Sequence, residues 1–198
     1  MRNGPARGWL VRGLNFCLTA TLMLAACAVT QAAEGPEAVT LCNSCHGEEG
    51  LPIDTSVPII WGQELYYLYV QLKDYKAGRR SNLIMSRVAS QLSKEQMRSL
   101  AEYFAEKRWP KIGFRAQDAD LAKGESATVA GQCVQCHLGG YEGNSRVPRL
   151  AGQQVEYLER TMSEFKHKVR LNSPAKGSLL GAYEDGDIAA MARFLGAF

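Results

Sequence analysis

Apolar residues recur along the chain at intervals of three and four rather than two, which predicts helices throughout and an all-α fold. In the first half Leu65, Leu68, Tyr69 and Leu72 share one side of a helix expected from about Gln63 to Lys76 and closed by Gly78. Another helix should begin at Ser93, whose spacing to Gln96 matches a capping box. It carries Met97, Leu100, Ala101 and Phe104 on one face, and Pro110 ends the segment. A short helix leads into Cys42. The second half repeats the plan: Asp118 is placed to cap a helix through Gln132, and a second helix spans about Gln153 to Lys168. Asp185 is placed to cap a last one, with Ile188, Met191, Ala192 and Leu195 facing inward.

The first 33 residues follow a different pattern. Arg2, Arg7 and Arg12 precede an apolar stretch from Leu14 to Ala26 that is short for a membrane span, followed by small residues at Ala28, Ala32 and Ala33. This predicts a signal peptide over 1–33 and a mature chain from Glu34. Leu24-Ala25-Ala26-Cys27 also resembles a lipobox, so the alternative is a protein anchored through an acylated Cys27.

The remainder is an internal duplication. Val57-Pro58-Ile59-Ile60-Trp61-Gly62-Gln63 aligns with Val147-Pro148-Arg149-Leu150-Ala151-Gly152-Gln153 at an offset of 90, with a helix after each. Two domains are expected, 34–113 and 114–198, divided near Gly113. Each is small for a single apolar core, so a large buried apolar group is expected to complete it.

Such a group is indicated by a pentapeptide that occurs twice, Cys42-Asn43-Ser44-Cys45-His46 and Cys133-Val134-Gln135-Cys136-His137. C-x-x-C-H is the attachment pattern of a c-type haem: two thiols add to the porphyrin vinyl groups and the adjoining imidazole takes the iron. Cys42, Cys45, Cys133 and Cys136 are therefore the predicted attachment residues for two haem c groups, and His46 and His137 the proximal ligands. Two C-x-x-C pairs can also build a four-thiolate zinc site or a redox dithiol. The wide separation of the pairs, the His after each, and the lack of a βαβ context count against both.

Charge excludes one class of partner. The chain has 23 Lys and Arg against 20 Asp and Glu, but the three surplus cations all lie in residues 1–33. The mature chain is formally neutral, which is not the footprint of a nucleic-acid-binding protein. The four tyrosines Tyr66, Tyr67, Tyr69 and Tyr75 read as core or rim packing rather than as an electron relay.

Two C-x-x-C-H modules, each followed by a V-P-x-x-x-G-Q turn and a helix that in the first half ends Lys73-Asp74-Tyr75-Lys76-Ala77-Gly78, resemble the dihaem cytochrome c4 family. The dihaem subunit of flavocytochrome c sulfide dehydrogenase is a near neighbour. The resemblance spans the mature chain. It implies two tandem class I cytochrome c domains related by pseudo-twofold symmetry, located in the periplasm and passing single electrons between redox proteins. A terminal oxidase or a flavoprotein subunit is a candidate partner. The family's irons carry a proximal His and a distal Met. Met85, in a loop 39 residues after His46, stands where the family places that Met.

The second domain departs from the pattern, because 39 residues after His137 stands Lys176. Met162 and Met191 align with Leu72 and Leu100 and read as core. The distal position of haem 2 is thus open among Lys176 as a neutral amine, His167 at the end of the preceding helix, and an unligated or water-bound iron. A nitrogen ligand would lower the potential of haem 2 below that of haem 1 and make an electron carrier that is not an enzyme. An open site would permit thiosulfate or peroxide chemistry or small-ligand binding, although no acid-base constellation accompanies the motif.

Overall fold

The chain folds as expected of a duplicated sequence. The computed structural model describes residues 36–198, with Met1 and Gly4; the expected signal peptide over 1–33, Cys17, the lipobox-like segment at Cys27 and the expected mature terminus at Glu34 lie outside them. In the first half α1 spans Pro36–His46, α2 Leu65–Lys76, α3 Leu83–Gln91 and α4 Lys94–Ala105. In the second, α5 spans Asp118–Ala130, α6 Val134–His137, α7 Val155–Lys166, α8 Pro174–Leu180 and α9 Asp185–Gly196. Among the described residues there is no strand, only an isolated bridge between Asn144 and Val147.

Local chemistry explains where these helices start and stop. Ser93 and Gln96 form the capping box that opens α4. Two predicted caps move by one residue: Gln117 precedes α5, and Glu184 closes a box with Asp187 ahead of α9, which puts Asp118 and Asp185 inside the first turns, where their charge meets the helix dipole. The segments expected to be loops around Met85 and Lys176 are instead the helices α3 and α8. Asn82 makes the first of these by accepting from the N–H groups of Ile84 and Met85, and Pro174 supplies a preset first position in the second. The helix predicted to reach Gln132 ends at Ala130, because Gly131 and Gln132 (φ +52°) break it before α6.

Each half packs alike: α2 lies against α3 and α4, and α7 against α8 and α9. Met97, Leu100, Ala101 and Phe104 are buried as predicted, as are Ile188, Met191, Ala192 and Leu195. Met162 is partly buried against both second-half clusters, and Met191 is fully core. Leu65 is an exception, 37% exposed. One bulky ring changes sides between the halves. Trp61 stacks where Gly50 leaves room, whereas in the second half Ala151 stands in the tryptophan position and Tyr141 in the glycine position, so volume is conserved.

Helices α5 and α9 cross closely at Gly124, where an added Cβ would meet the Ala190 carbonyl oxygen at 2.4 Å and the Phe194 Cβ at 2.5 Å. Gly124→Ala is therefore expected to destabilise the protein by about 1–3 kcal/mol despite alanine's better helix propensity. Chemical denaturation checks this through a lower midpoint at unchanged slope.

Candidate functional site

The last two turns of α1 place Cys42, Cys45 and His46 together; α6 and the residue before it do the same for Cys133, Cys136 and His137. The two imidazoles are held in the same way. His46 Nδ1–H donates to the Pro58 carbonyl oxygen at 2.8 Å, and His137 Nδ1–H to that of Pro148 at 2.9 Å. A carbonyl only accepts, so Nδ1 carries the proton and Nε2 keeps a lone pair for a metal. Burial holds both rings neutral, lowering His46 and bringing His137 down to about 4, with a smaller contribution from the Lys176 charge. Burial also raises the Cys42 thiol to about 11, and the Cys133 thiol as well. Among the described residues no three His, Cys, Asp or Glu side chains converge into a metal site.

The repeated turn carries the prolines. Gly62 and Gly152 sit at φ +68° and +69°, and their N–H groups bond the carbonyls of Phe104 and Leu195 at the end of each half's last helix. A left-handed residue is needed there, and only glycine takes it without strain. The next residues, Gln63 and Gln153, are buried and reach into the opposite half. Gln63 Oε1 accepts the Arg149 N–H (2.8 Å) and its Nε2 donates to the Arg149 carbonyl (3.0 Å); Gln153 does the same with Ile59 (2.8 and 3.0 Å). Ile59 and Arg149 are equivalent in the repeat, so the seam between the halves is a reciprocal pair of clamps.

The residues expected as distal ligands differ between the halves. Met85 is the third residue of α3 and Lys176 the third residue of α8, so the two occupy matching positions. Both are half-buried. Lys176 Nζ lies 5.4 Å from the centre of the Phe165 ring, and burial, with the charge of Arg170, lowers its pKa to about 8. His167 caps the end of α7 with a side chain 55% exposed, 3.9 Å from Asp185. It lies at the surface beside Asp185.

A third feature was not foreseen. Arg80 and Arg170, equivalent in the repeat, are 7% and 5% exposed. Each reaches across the seam to the other half's equivalent tyrosine, Arg80 Nη2 to the Tyr157 hydroxyl at 3.1 Å and Arg170 Nη2 toward that of Tyr67 at 3.5 Å. Both also donate to the one oxygen of Gln71, at 3.0 and 2.8 Å. Buried Asp74 bonds Arg79 and Asn172, and among the described residues no carboxylate pairs with either buried guanidinium. Burial would raise the Tyr157 pKa, yet the charges of Arg80 and Arg170 overcome it and lower it. The seam thus holds uncompensated positive charge, a costly arrangement unless an anion accompanies it. The buried Trp61 Nε1, Asn43 Oδ1 and Thr161 Oγ1 have no hydrogen-bond partner. A haem, apolar over most of its surface and bearing two carboxylates, fits the two guanidiniums and the Trp61 and Thr161 donors. The signal for Gln63, Gln153, Tyr67, Tyr157, Arg80 and Arg170 was present in the sequence: all are identical pairs at the offset of 90.

No family model matches the chain. It is 32% identical over 168 residues to cytochrome c4 of Thiocapsa roseopersicina, covering 78% of this chain and 85% of that one. It is 32% identical over 153 residues to the thiosulfate dehydrogenase electron acceptor of Thiomonas intermedia strain K12, covering 72% and 70%. Among solved structures, reduced recombinant cytochrome c4 from Pseudomonas stutzeri superposes with a TM-score of 0.73 at 26% identity, over 80% of this chain and 94% of that one.

Proposed function

The chain belongs to the cytochrome c4 family, and from that premise we propose that it relays single electrons through the periplasm by way of a His46/Met85 haem 1 and a His137/Lys176 haem 2. Its two tandem class I cytochrome c domains carry two covalently bound haem c groups, and electron transfer is the family's activity. In this reading Cys42 and Cys45 attach haem 1 within 34–113, and Cys133 and Cys136 attach haem 2 within 114–198. Bound there, each haem supplies a one-electron Fe(III)/Fe(II) couple.

The chain's own residues do the rest. Pro58 and Pro148 fix the imidazole tautomers, as the two matched hydrogen bonds of 2.8 and 2.9 Å indicate, and this observation carries the reading. Buried Arg80 and Arg170 would neutralise haem carboxylates at the seam, and the unpartnered Trp61 Nε1 would be a further donor to such a group. As ligands, the thioether of Met85 would favour Fe(II) and the harder amine of Lys176 Fe(III), which would make haem 1 the higher-potential site. The matching helical positions of Met85 and Lys176 support this assignment over His167, which faces solvent.

The relative named as a thiosulfate dehydrogenase electron acceptor supports a donor that oxidises a reduced sulfur compound and releases electrons singly. No helix among the described residues is long and apolar enough to cross a membrane. Delivery to the periplasm follows from the signal peptide, and a lipid anchor through Cys27 is tested by the mass of the mature N-terminus.

The deciding measurement is a carbon monoxide titration of the dithionite-reduced holoprotein, with haem counted per chain. Two haems and no bound CO are expected at alkaline pH, since in this reading both irons would be six-coordinate. One CO for every two haems would replace the carrier reading at haem 2 by that of an open, ligand-binding or enzymatic site.

A further inference from the structure

One peptide group joins each proximal histidine to the opposite half of the molecule. The amide between Pro58 and Ile59 accepts the His46 Nδ1–H at its oxygen (2.8 Å) and donates its N–H to Oε1 of Gln153 (2.8 Å). The amide between Pro148 and Arg149 accepts the His137 Nδ1–H (2.9 Å) and donates to Oε1 of Gln63 (2.8 Å). Gln63 and Gln153 are 4% and 2% exposed, so bulk water does not compete for these bonds.

An amide that accepts at its oxygen while donating from its nitrogen is polarised by both bonds, and each strengthens the other, most of all where the dielectric is low. A stronger acceptor at Nδ1–H gives the imidazole more imidazolate character. The ring then becomes a stronger donor at Nε2 and favours the ferric state of an iron held there. We infer that Gln153 and Gln63 are positioning residues that act across the seam, so that the potential of each iron is tuned by the domain that does not hold it. Gln153, in the second domain, sets the donor strength of His46; Gln63, in the first, sets that of His137. Docking of the two domains and the potentials of their haems are therefore one property.

The inference rests on His46 and His137 as the proximal ligands, which the haem count and ligand-field spectrum of the unmodified protein check separately. The test compares Gln153→Met and Gln63→Met holoproteins, in which a side chain of similar length lacks the acceptor. Potentiometric titration follows haem 1 through the far-red thioether-to-ferric-iron charge-transfer band and haem 2 through the remaining absorbance change. Gln153→Met is expected to raise the haem 1 midpoint, increasing its reduced-to-oxidised ratio several-fold at the unmodified midpoint, with haem 2 unmoved. The His46 Nδ1–H proton resonance of the reduced protein should move upfield in the same variant. Gln63→Met should give the opposite assignment. Gln153→Glu, whose neutral acid accepts and donates in the same geometry, should return the haem 1 midpoint toward that of the unmodified protein. Gln153→Asn, with a shortened arm, should shift it less, and carries the test if the methionine variant does not accumulate. A shift confined to the haem of the substituted domain, equal shifts at both haems, or no shift would overturn the inference.

Discussion

Replacing Lys176 with alanine is expected to change the reduced holoprotein from binding no carbon monoxide to binding one molecule per chain. Lys176 is the third residue of α8, the position Met85 holds in α3, and its ammonium charge contributes to lowering His137. It ligates only as the free amine. Burial and the Arg170 charge already bring its pKa from 10.5 to about 8, so a metal has little more to do to keep it neutral. The direction of the pH effect follows. The free base is favoured at high pH, so acidification competes with ligation, at a pH below the free amine's own pKa because iron and proton contend for one lone pair; CO uptake by the unmodified protein should appear only as pH falls. Lys176→Met should close the site again and add a second far-red thioether band. It should also raise the haem 2 potential by something on the order of 0.1 V, within the ~0.8 V range that axial ligands command. Failure of Lys176→Ala to bind CO would move the assignment to another side chain, and His167→Ala would then be the variant to examine.

Loss of the buried guanidinium pair should be the most damaging change to stability. Arg80 and Arg170 bond Gln71, Tyr157, Tyr67 and Asn172, and among the described residues no carboxylate pairs with either. If haem carboxylates are their counter-ions, Arg80→Met or Arg170→Met leaves a buried anion unpaired, at a cost of about 3–5 kcal/mol for each substitution. Denaturation of the holoprotein measures this. Removing positive charge beside the irons also destabilises the reduced state relative to the oxidised one, so both midpoints should fall. Because Gln71 supplies one oxygen to both guanidiniums, the two substitutions should be non-additive, which a double-mutant cycle resolves. A neutral or stabilising outcome for both single variants would exclude them as carboxylate partners.

Much of the fold was legible because the relevant information is local. The apolar face of α4 and its Ser93/Gln96 box, the buried stripe of α9, and the duplication itself are properties of spacing along the chain. The shifts at Gln117 and Glu184 are one-residue competitions between neighbouring acceptors. The helices around Met85 and Lys176 were read as loops because α3 and α8 are short; Asn82 and Pro174 start them, and packing against α2 and α7 sustains them. Tyr67 looked like ordinary packing, since nothing near it in sequence announces an arginine 103 positions away.

By itself the sequence determined the covalent chemistry: two C-x-x-C-H motifs, two helical domains, and a thioether in the first domain matched by an amine in the second. These depend on residue type and on separations of a few positions, which a chain carries in any conformation. Tertiary structure alone decided which groups meet across the seam. Gln63 and Gln153 exchanged partners between domains, and Arg80 and Arg170 came together in a buried positive cluster. Such contacts join residues about 80 to 100 positions apart, and their energies arise only once docking removes water from between them.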